Sequence, residues 1–161
     1  MIVVSDTSPI GNLLQIGMLY LLEAVFTKVI VPPTVHQEVL ELQSFQIDIN
    51  AYKIANWIVI QRLTSSRGID TLLETLDQGE SEAILLAKEI NADWILIDER
   101  AGTKKAEEMG LQPIGLIGVL IKAKEKGLIS KVTPLIEAMR VEAGFWISNR
   151  FLEKIKTELN E

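Results

Sequence analysis

Residues 94–98, Trp-Ile-Leu-Ile-Asp, decide the fold, because residues 2–6, Ile-Val-Val-Ser-Asp, repeat their plan. Each is a short, nearly continuous apolar run that ends on an aspartate. Such runs are too short for a helix and lack the polar alternation of a half-exposed strand, so they read as strands covered on both faces. Lys28–Val31, Trp57–Ile60 and Pro113–Gly115 complete the set of strand candidates. The segments between them are long enough for the crossover helices that parallel neighbours require. The pattern predicts an α/β protein, a three-layer α/β/α sandwich around a mostly parallel sheet.

Helix signals fill the gaps. Ser8-Pro9 reads as an N-cap followed by proline in the first turn, and Thr34 with Gln37 reads as a capping box after Pro32-Pro33. The run from Gly79, Glu-Ser-Glu-Ala-Ile-Leu-Leu-Ala-Lys-Glu-Ile, is strongly helical, while Gly110 and Gly127 stand where helices end. From Ile117 on, consecutive helices are expected with a break at Gly144, and Leu42–Asn56 reads either as a second helix or as a helix and a loop. At 161 residues, without repeats or Pro/Gly/Ser linkers, the chain is expected to form one domain, with a core over about 1–120 and a helical extension over about 121–161.

Composition narrows the chemistry. There is no cysteine and a single histidine, His36, so thiolate and multi-histidine metal sites are excluded and any metal ligands must be oxygens. The absence of cysteine, of a signal peptide and of a membrane-length apolar run gives the expectation of a cytoplasmic protein. The net charge of −6 is unevenly spread. Residues 1–99 hold 5 Lys/Arg against 14 Asp/Glu, a balance of −9, and residues 100–161 hold 11 against 8, a balance of +3. That split suits an acidic metal site beside a phosphate-contacting surface.

Topology gathers the acids. Asp6 and Asp98 each follow a strand directly, and in a parallel sheet both strands end on the edge where ligands bind. Helical phase adds two more. Glu80 shares a face with Ala83, Ile84 and Ala87, and Glu38 borders the stripe of Val35, Val39 and Leu42. Glu82 falls roughly 160° away from Glu80 and is expected in solvent. Each acid has a bland reading: a turn for Asp6, an N-cap for Asp98, an amphipathic boundary for Glu38, and for Glu80 the N3 position of a capping box begun by Asp77. Together, four carboxylates directed at one edge call for a hard divalent cation, Mg²⁺ or Mn²⁺, which would make phosphodiester hydrolysis possible.

These stretches carry a family resemblance. VSDTSPI around Asp6, VPPTVHQEVL around Glu38, LDQGESEAILLA around Glu80 and WILIDERAG around Asp98 resemble the PIN-domain family, most of all its branch of predicted nucleic-acid-binding proteins, over about residues 1–120. Glu80 and Asp98 lie 18 residues apart, as that family's third and fourth acids commonly do. The resemblance implies strand order 3-2-1-4-5, a Mg²⁺- or Mn²⁺-dependent ribonuclease with Asp6, Glu38, Glu80 and Asp98 as catalytic metal ligands, and frequent homodimers. Many members are VapC-like toxins held by a small antitoxin. Thr7 or Ser8 would add a hydroxyl near the metal and Glu99 an outer acid. Arg100, Lys104 and Lys105, at the start of the helix after Asp98, are the candidate contacts to RNA phosphates. The run Asp98-Glu99-Arg100-Ala101-Gly102-Thr103 departs from the branch, which often has two aspartates followed by Gly-Arg. The helical extension also exceeds a minimal toxin.

Other readings compete. A silent PIN-like module that binds nucleic acid or protein would keep the fold without turnover. A phosphoacceptor receiver would need adjacent acids after the first strand, and an aspartate-nucleophile phosphatase would need an Asp where Ser8 stands. Lys122, Lys124 and Lys126 read as solvent-exposed, and His36 as structural. Phe145 and Trp146 could stack on a base but read first as anchors for a terminal helix or a dimer partner.

Overall fold

The computed structural model describes residues 1–161. Five strands, β1 (Ile2–Ser5), β2 (Lys28–Val31), β3 (Ile58–Ile60), β4 (Trp94–Leu96) and β5 (Pro113–Ile114), form one sheet. They pair entirely in parallel in the order β3-β2-β1-β4-β5, the order the resemblance implies. Ten α-helices surround it. Those that matter for the site are α1 (Thr7–Gln15), α3 (Pro33–Glu41), α6 (Gln78–Glu89), α7 (Arg100–Glu108) and α8 (Leu116–Glu125). The chain closes with α9 (Thr133–Ala143) and α10 (Asn149–Leu159). No helix is long and apolar enough to cross a membrane.

Side chains alternate across the sheet with period two. Val3, Val29, Val31, Leu96 and Ile114 join the larger apolar core, with α1, α8, α9 and α10. Val4, Ile30, Ile95 and Ile97 join the smaller one, with α6 and Ala106 of α7. Both faces of the central strands are therefore buried, which is why their sequence shows no alternation of polarity.

Two expected caps are corrected. Asp6, not Ser8, is the N-cap of α1: its backbone is extended (φ −79°, ψ 173°), and Ser8 is already helical. Pro9 is tolerated in that first turn, where its missing N–H has no intrahelical partner anyway. Likewise Pro32 is the N-cap of α3 and Pro33 its first residue, so Thr34 lies inside the helix and makes no capping bond. Pro33 presets the entry of α3, while the extended Asp6 makes the turn into α1. Leu42–Asn56 resolves into a 3-10 turn, Leu42–Phe45, a short loop and a one-turn helix, α4 (Asn50–Lys53). Gly110, Gly127 and Gly144 all take the left-handed conformation expected of helix ends.

Glu82 is also corrected. It is half-buried, with Oε1 accepting from Gln78 Nε2 at 2.9 Å and Oε2 covered without a partner. The helical phase was sound, but the irregular segment after β3 folds over that face. Thr64 of this segment donates from N and Oγ1 to Glu89 at 2.9 and 2.7 Å. The lysine run is only partly in solvent. Lys122 Nζ lies 4.8 Å from the Trp94 ring centroid, and Lys124 Nζ donates to Glu161 Oε2 at 2.7 Å. That Glu161 carboxylate also accepts from the backbone of Val132 and Thr133 at 3.0 and 2.8 Å, tying α8, the start of α9 and the last residue together. Burial works against its charge, but these donors hold its pKa down to about 2.

Candidate active site

The parallel register delivers both aspartates to one edge. Ser5 pairs with Leu96, and Asp6 N–H donates to Leu96 O at 2.9 Å, so the two chains leave the sheet side by side. Asp6 is 4% exposed and Glu80 7%, while Glu38 and Asp98 are half-buried. Burial is the main force on the Asp6 carboxyl, opposed by the Thr7 backbone N–H and reinforced by the charges of Glu80, Asp77 and Glu38. Its pKa is pushed up to about 7. Burial, with the Asp77 charge second, also raises Glu80, and Glu38 rises through burial with Asp77 as its first electrostatic neighbour. Asp6, Glu38 and Glu80 therefore sense one another, and Asp77 acts on all three.

Asp98 stands apart. Burial raises its pKa to about 6 against the pull of the Leu116 N–H, and none of the other acids contributes. The alternation of the sheet gives a reason: Asp6 continues the series of Val4, whereas Asp98 continues that of Leu96, which belongs to the opposite core. Asp98 Oδ1 accepts from Leu116 N at 3.0 Å, and its Oδ2 is buried without a hydrogen-bond partner. As the side chains stand, no three carboxylates are gathered to hold a metal ion.

Each glutamate is held by a neighbour. Thr7 Oγ1 donates to Glu38 Oε2 at 3.0 Å. Glu80 completes the capping box: its backbone N donates to Asp77 Oδ1 at 2.8 Å, and its Oε2 accepts from Asp77 N at 3.3 Å. Glu80 thus fills the capping-box position, with its side chain buried at the same edge as Asp6. Two glycines make room for the acids. A Cβ on Gly79 would overlap Glu38 Oε1 and lie 3.0 Å from its Cδ, and a Cβ on Gly115 would lie 2.6 Å from Asp98 Oδ1. Neither glycine has a positive φ, so close approach and not backbone conformation is what requires them. Sequence reasoning missed this pair and missed Asp77 as a member of the acid group. The Asp77–Gly79–Glu80 spacing was the available signal.

The remaining candidates divide. Ser8 is exposed and lines a cleft that also holds Asp98 and Glu99. Glu99 is exposed and its charge reaches Glu80. Arg100 and Lys104 are exposed and make no ion pair, whereas Lys105 is paired with Glu108 at 3.0 Å within α7. His36 is structural: its Nδ1 lies 2.7 Å from Tyr52 Oη, and burial raises that phenol to about 12.

Known proteins bear on the reading at two levels. A solved structure, a PilT N-terminus domain protein from the hyperthermophilic archaeon Sulfolobus solfataricus P2, shares the fold with a TM-score of 0.58. It is 22% identical, over 78% of this chain and 95% of that one. No curated protein matches the chain. A family model described as PIN domain matches residues 2–161, which takes in the helices after residue 120 as well as the sheet. With its sheet order, its acids at the carboxyl edge and that match along nearly its whole length, the chain belongs to the PIN-domain family.

Proposed function

We propose that the chain is a divalent-metal-dependent endoribonuclease. PIN domains are usually nucleases. The observation that carries the finer reading is the mutual influence of three inward acids, Asp6, Glu38 and Glu80, around Asp77. Carboxylates buried near one another carry a desolvation cost and a smaller mutual repulsion, which a hard cation would offset. An all-oxygen donor set fits Mg²⁺ or Mn²⁺ and no softer ion. Asp6, Glu38 and Glu80 would hold it, and the unpartnered Oδ2 of Asp98 is the fourth candidate oxygen. When bound, the cation would polarise a phosphate oxygen and acidify water for attack on phosphorus.

The chain's own residues orient these groups. Thr7 fixes Glu38, the Asp77 backbone fixes Glu80, and the Leu116 N–H fixes one oxygen of Asp98 while leaving the other free. Arg100 and Lys104, unpaired at the start of α7, are the cations left to meet substrate phosphates. Lys105 is already engaged by Glu108 and ranks behind them. RNA as substrate, pairing with a small antitoxin, and homodimer formation extend the same proposal from the family resemblance.

The test is cleavage of single-stranded RNA by the purified chain in Mg²⁺ or Mn²⁺. Activity should vanish in EDTA and in Asp6→Asn and Asp98→Asn. Persistence in either variant would place the chemistry elsewhere. A second reading, a silent PIN-like binding module, draws support from the separation of Asp98 from the other acids. Under it, RNA would bind and remain intact with metal present.

A further inference from the structure

The cleft that holds Asp98 has an aromatic wall that hydrolysis does not require. Its volume is about 560 Å³, within the range of small-ligand pockets. Ser8, Asn12, Ser148 and the carboxylates Asp98 and Glu99 supply polar groups, and Phe145, Trp146 and Phe151 supply rings. Trp146 is 82% exposed and Phe151 46%. The exposure of Trp146 does not come from a loose linker. Phe145 packs against the larger core and Ile147 is buried, so residues 145–147 alternate inward, outward, inward. Both ends of this segment are fixed. Gly144 closes α9 in the left-handed conformation while Phe145 N donates to Met139 O at 3.1 Å. Ser148 opens α10 by accepting from Phe151 N at 3.1 Å. An indole is thus presented to solvent from a fixed backbone, in the same cleft as a candidate catalytic acid with an unpartnered oxygen.

We infer that Trp146, aided by Phe151, stacks a base of single-stranded RNA whose backbone passes Asp98. This rests on the nuclease reading, under which a cation held at Asp98 would offset the repulsion that Asp98 and Glu99 present to a phosphate backbone. An aromatic face accepts any base by stacking, and only an unpaired strand can offer one. Ser8 and Asn12 bring hydroxyl and amide groups that can bond a base edge or a ribose hydroxyl. The helical extension then has a role: it brings a stacking surface to the carboxyl edge of the sheet.

The full chain is titrated into a fluorescein-labelled oligouridine, read by anisotropy in EDTA, where hydrolysis does not compete, and again in Ca²⁺. Trp146→Ala should weaken binding roughly 5- to 150-fold, the range expected for one stacked base. Trp146→Phe should keep most of the affinity while losing the quenching of protein emission expected when RNA binds the wild type. An abasic strand of equal length should bind all three proteins weakly. Equal RNA affinity of the wild type and Trp146→Ala overturns the inference, as does failure of the wild type to bind oligouridine. A loss of self-association in Trp146→Ala, with RNA affinity unchanged, gives the cleft to a second copy and overturns it too. Stacking lost with hydrolysis intact would refute this inference alone. Stacking intact with no hydrolysis in Mg²⁺ or Mn²⁺ would refute the nuclease reading alone.

Discussion

Substituting Gly79 with alanine should separate the site from the scaffold that carries it. The added Cβ meets first the tip of one flexible side chain: the three nearest atoms are Oε1, Cδ and Oε2 of Glu38. Gly79 lies in the first turn of α6 without a positive φ, so alanine is compatible with its backbone and gains up to about 1 kcal/mol of helix propensity. The fold should therefore lose nothing, and thermal unfolding should stay put or rise slightly. The carboxylate cannot stay where it is. Restoring ordinary contact requires Glu38 to retreat by roughly 1 Å, which disturbs its bond from Thr7 Oγ1 and is a displacement of the size that costs about 100-fold when it misplaces a catalytic group. The assay pairs thermal melts with kcat/KM on single-stranded RNA and with Mn²⁺ affinity. A double variant supplies the stringent control. If Gly79→Ala acts only through Glu38, it should add almost nothing to Glu38→Gln, a strong departure from additivity. Full activity with an unchanged melting temperature would refute the reasoning, and additive losses in the double variant would assign Gly79 some other role.

Three further outcomes follow from the same geometry. Asp6 has a folded pKa of about 7 against an ordinary 3.8, so the native state holds its proton more tightly than the unfolded chain. Its contribution is most favourable below the unfolded value, declines as pH rises through the interval up to about 7, and is flat above it. Once ionised, the buried carboxylate costs on the order of 4 kcal/mol. Asp6→Asn should then flatten the fall in stability between pH 4 and 7 and raise the melting temperature at pH 8, by roughly 8–16 °C where the whole cost is relieved. An unchanged pH profile would count against it. Mg²⁺ should stabilise the wild type and not this variant. Glu161→Gln should cost about 1–3 kcal/mol in urea unfolding, since it weakens three hydrogen bonds to a charged carboxylate; a midpoint equal to the wild type's would rule the contact unimportant. Tyr52→Phe should cost about 1 kcal/mol through loss of the His36 bond while leaving RNA cleavage untouched, and a change in cleavage would disprove the structural role given to His36.

The sheet was legible because burial on both faces writes a simple signature. Val3, Val4, Ile95 and Leu96 must all be apolar, and the strand ends fall within a residue or two of the expected ones. Helix entries were less legible. Proline at Pro32-Pro33 and an extended Asp6 do the work that hydroxyl caps were expected to do, and several residue types can satisfy an N-terminus equally well. Of the site, the inward direction of Glu80 follows from helical phase, and the phase held. The position of Asp98 does not follow from strand position alone. The carboxyl edge is shared, but side chains one register step apart leave it on opposite faces. The space under Glu38 and Asp98 was invisible for a different reason: Gly79 and Gly115 look like helix-entry glycines until the residues 41 and 17 positions earlier are placed against them. Glu82 shows the limit of helical phase, since a distant irregular segment decides whether an outward face meets water.

Glu80 gives the site a built-in reporter. The same carboxylate that would receive a cation already serves as acceptor for the amide of Asp77, at the threshold of α6. The two demands compete for one group of two oxygens. A cation that draws Glu80 toward Asp6 and Glu38 loosens the latch on the helix start, and a helix start that grips tightly weakens the cation's hold. Under the proposed metal-dependent reading, occupancy of the acidic edge would thereby be written into the exchange rate of a single backbone hydrogen, where it could be followed with no nucleic acid present.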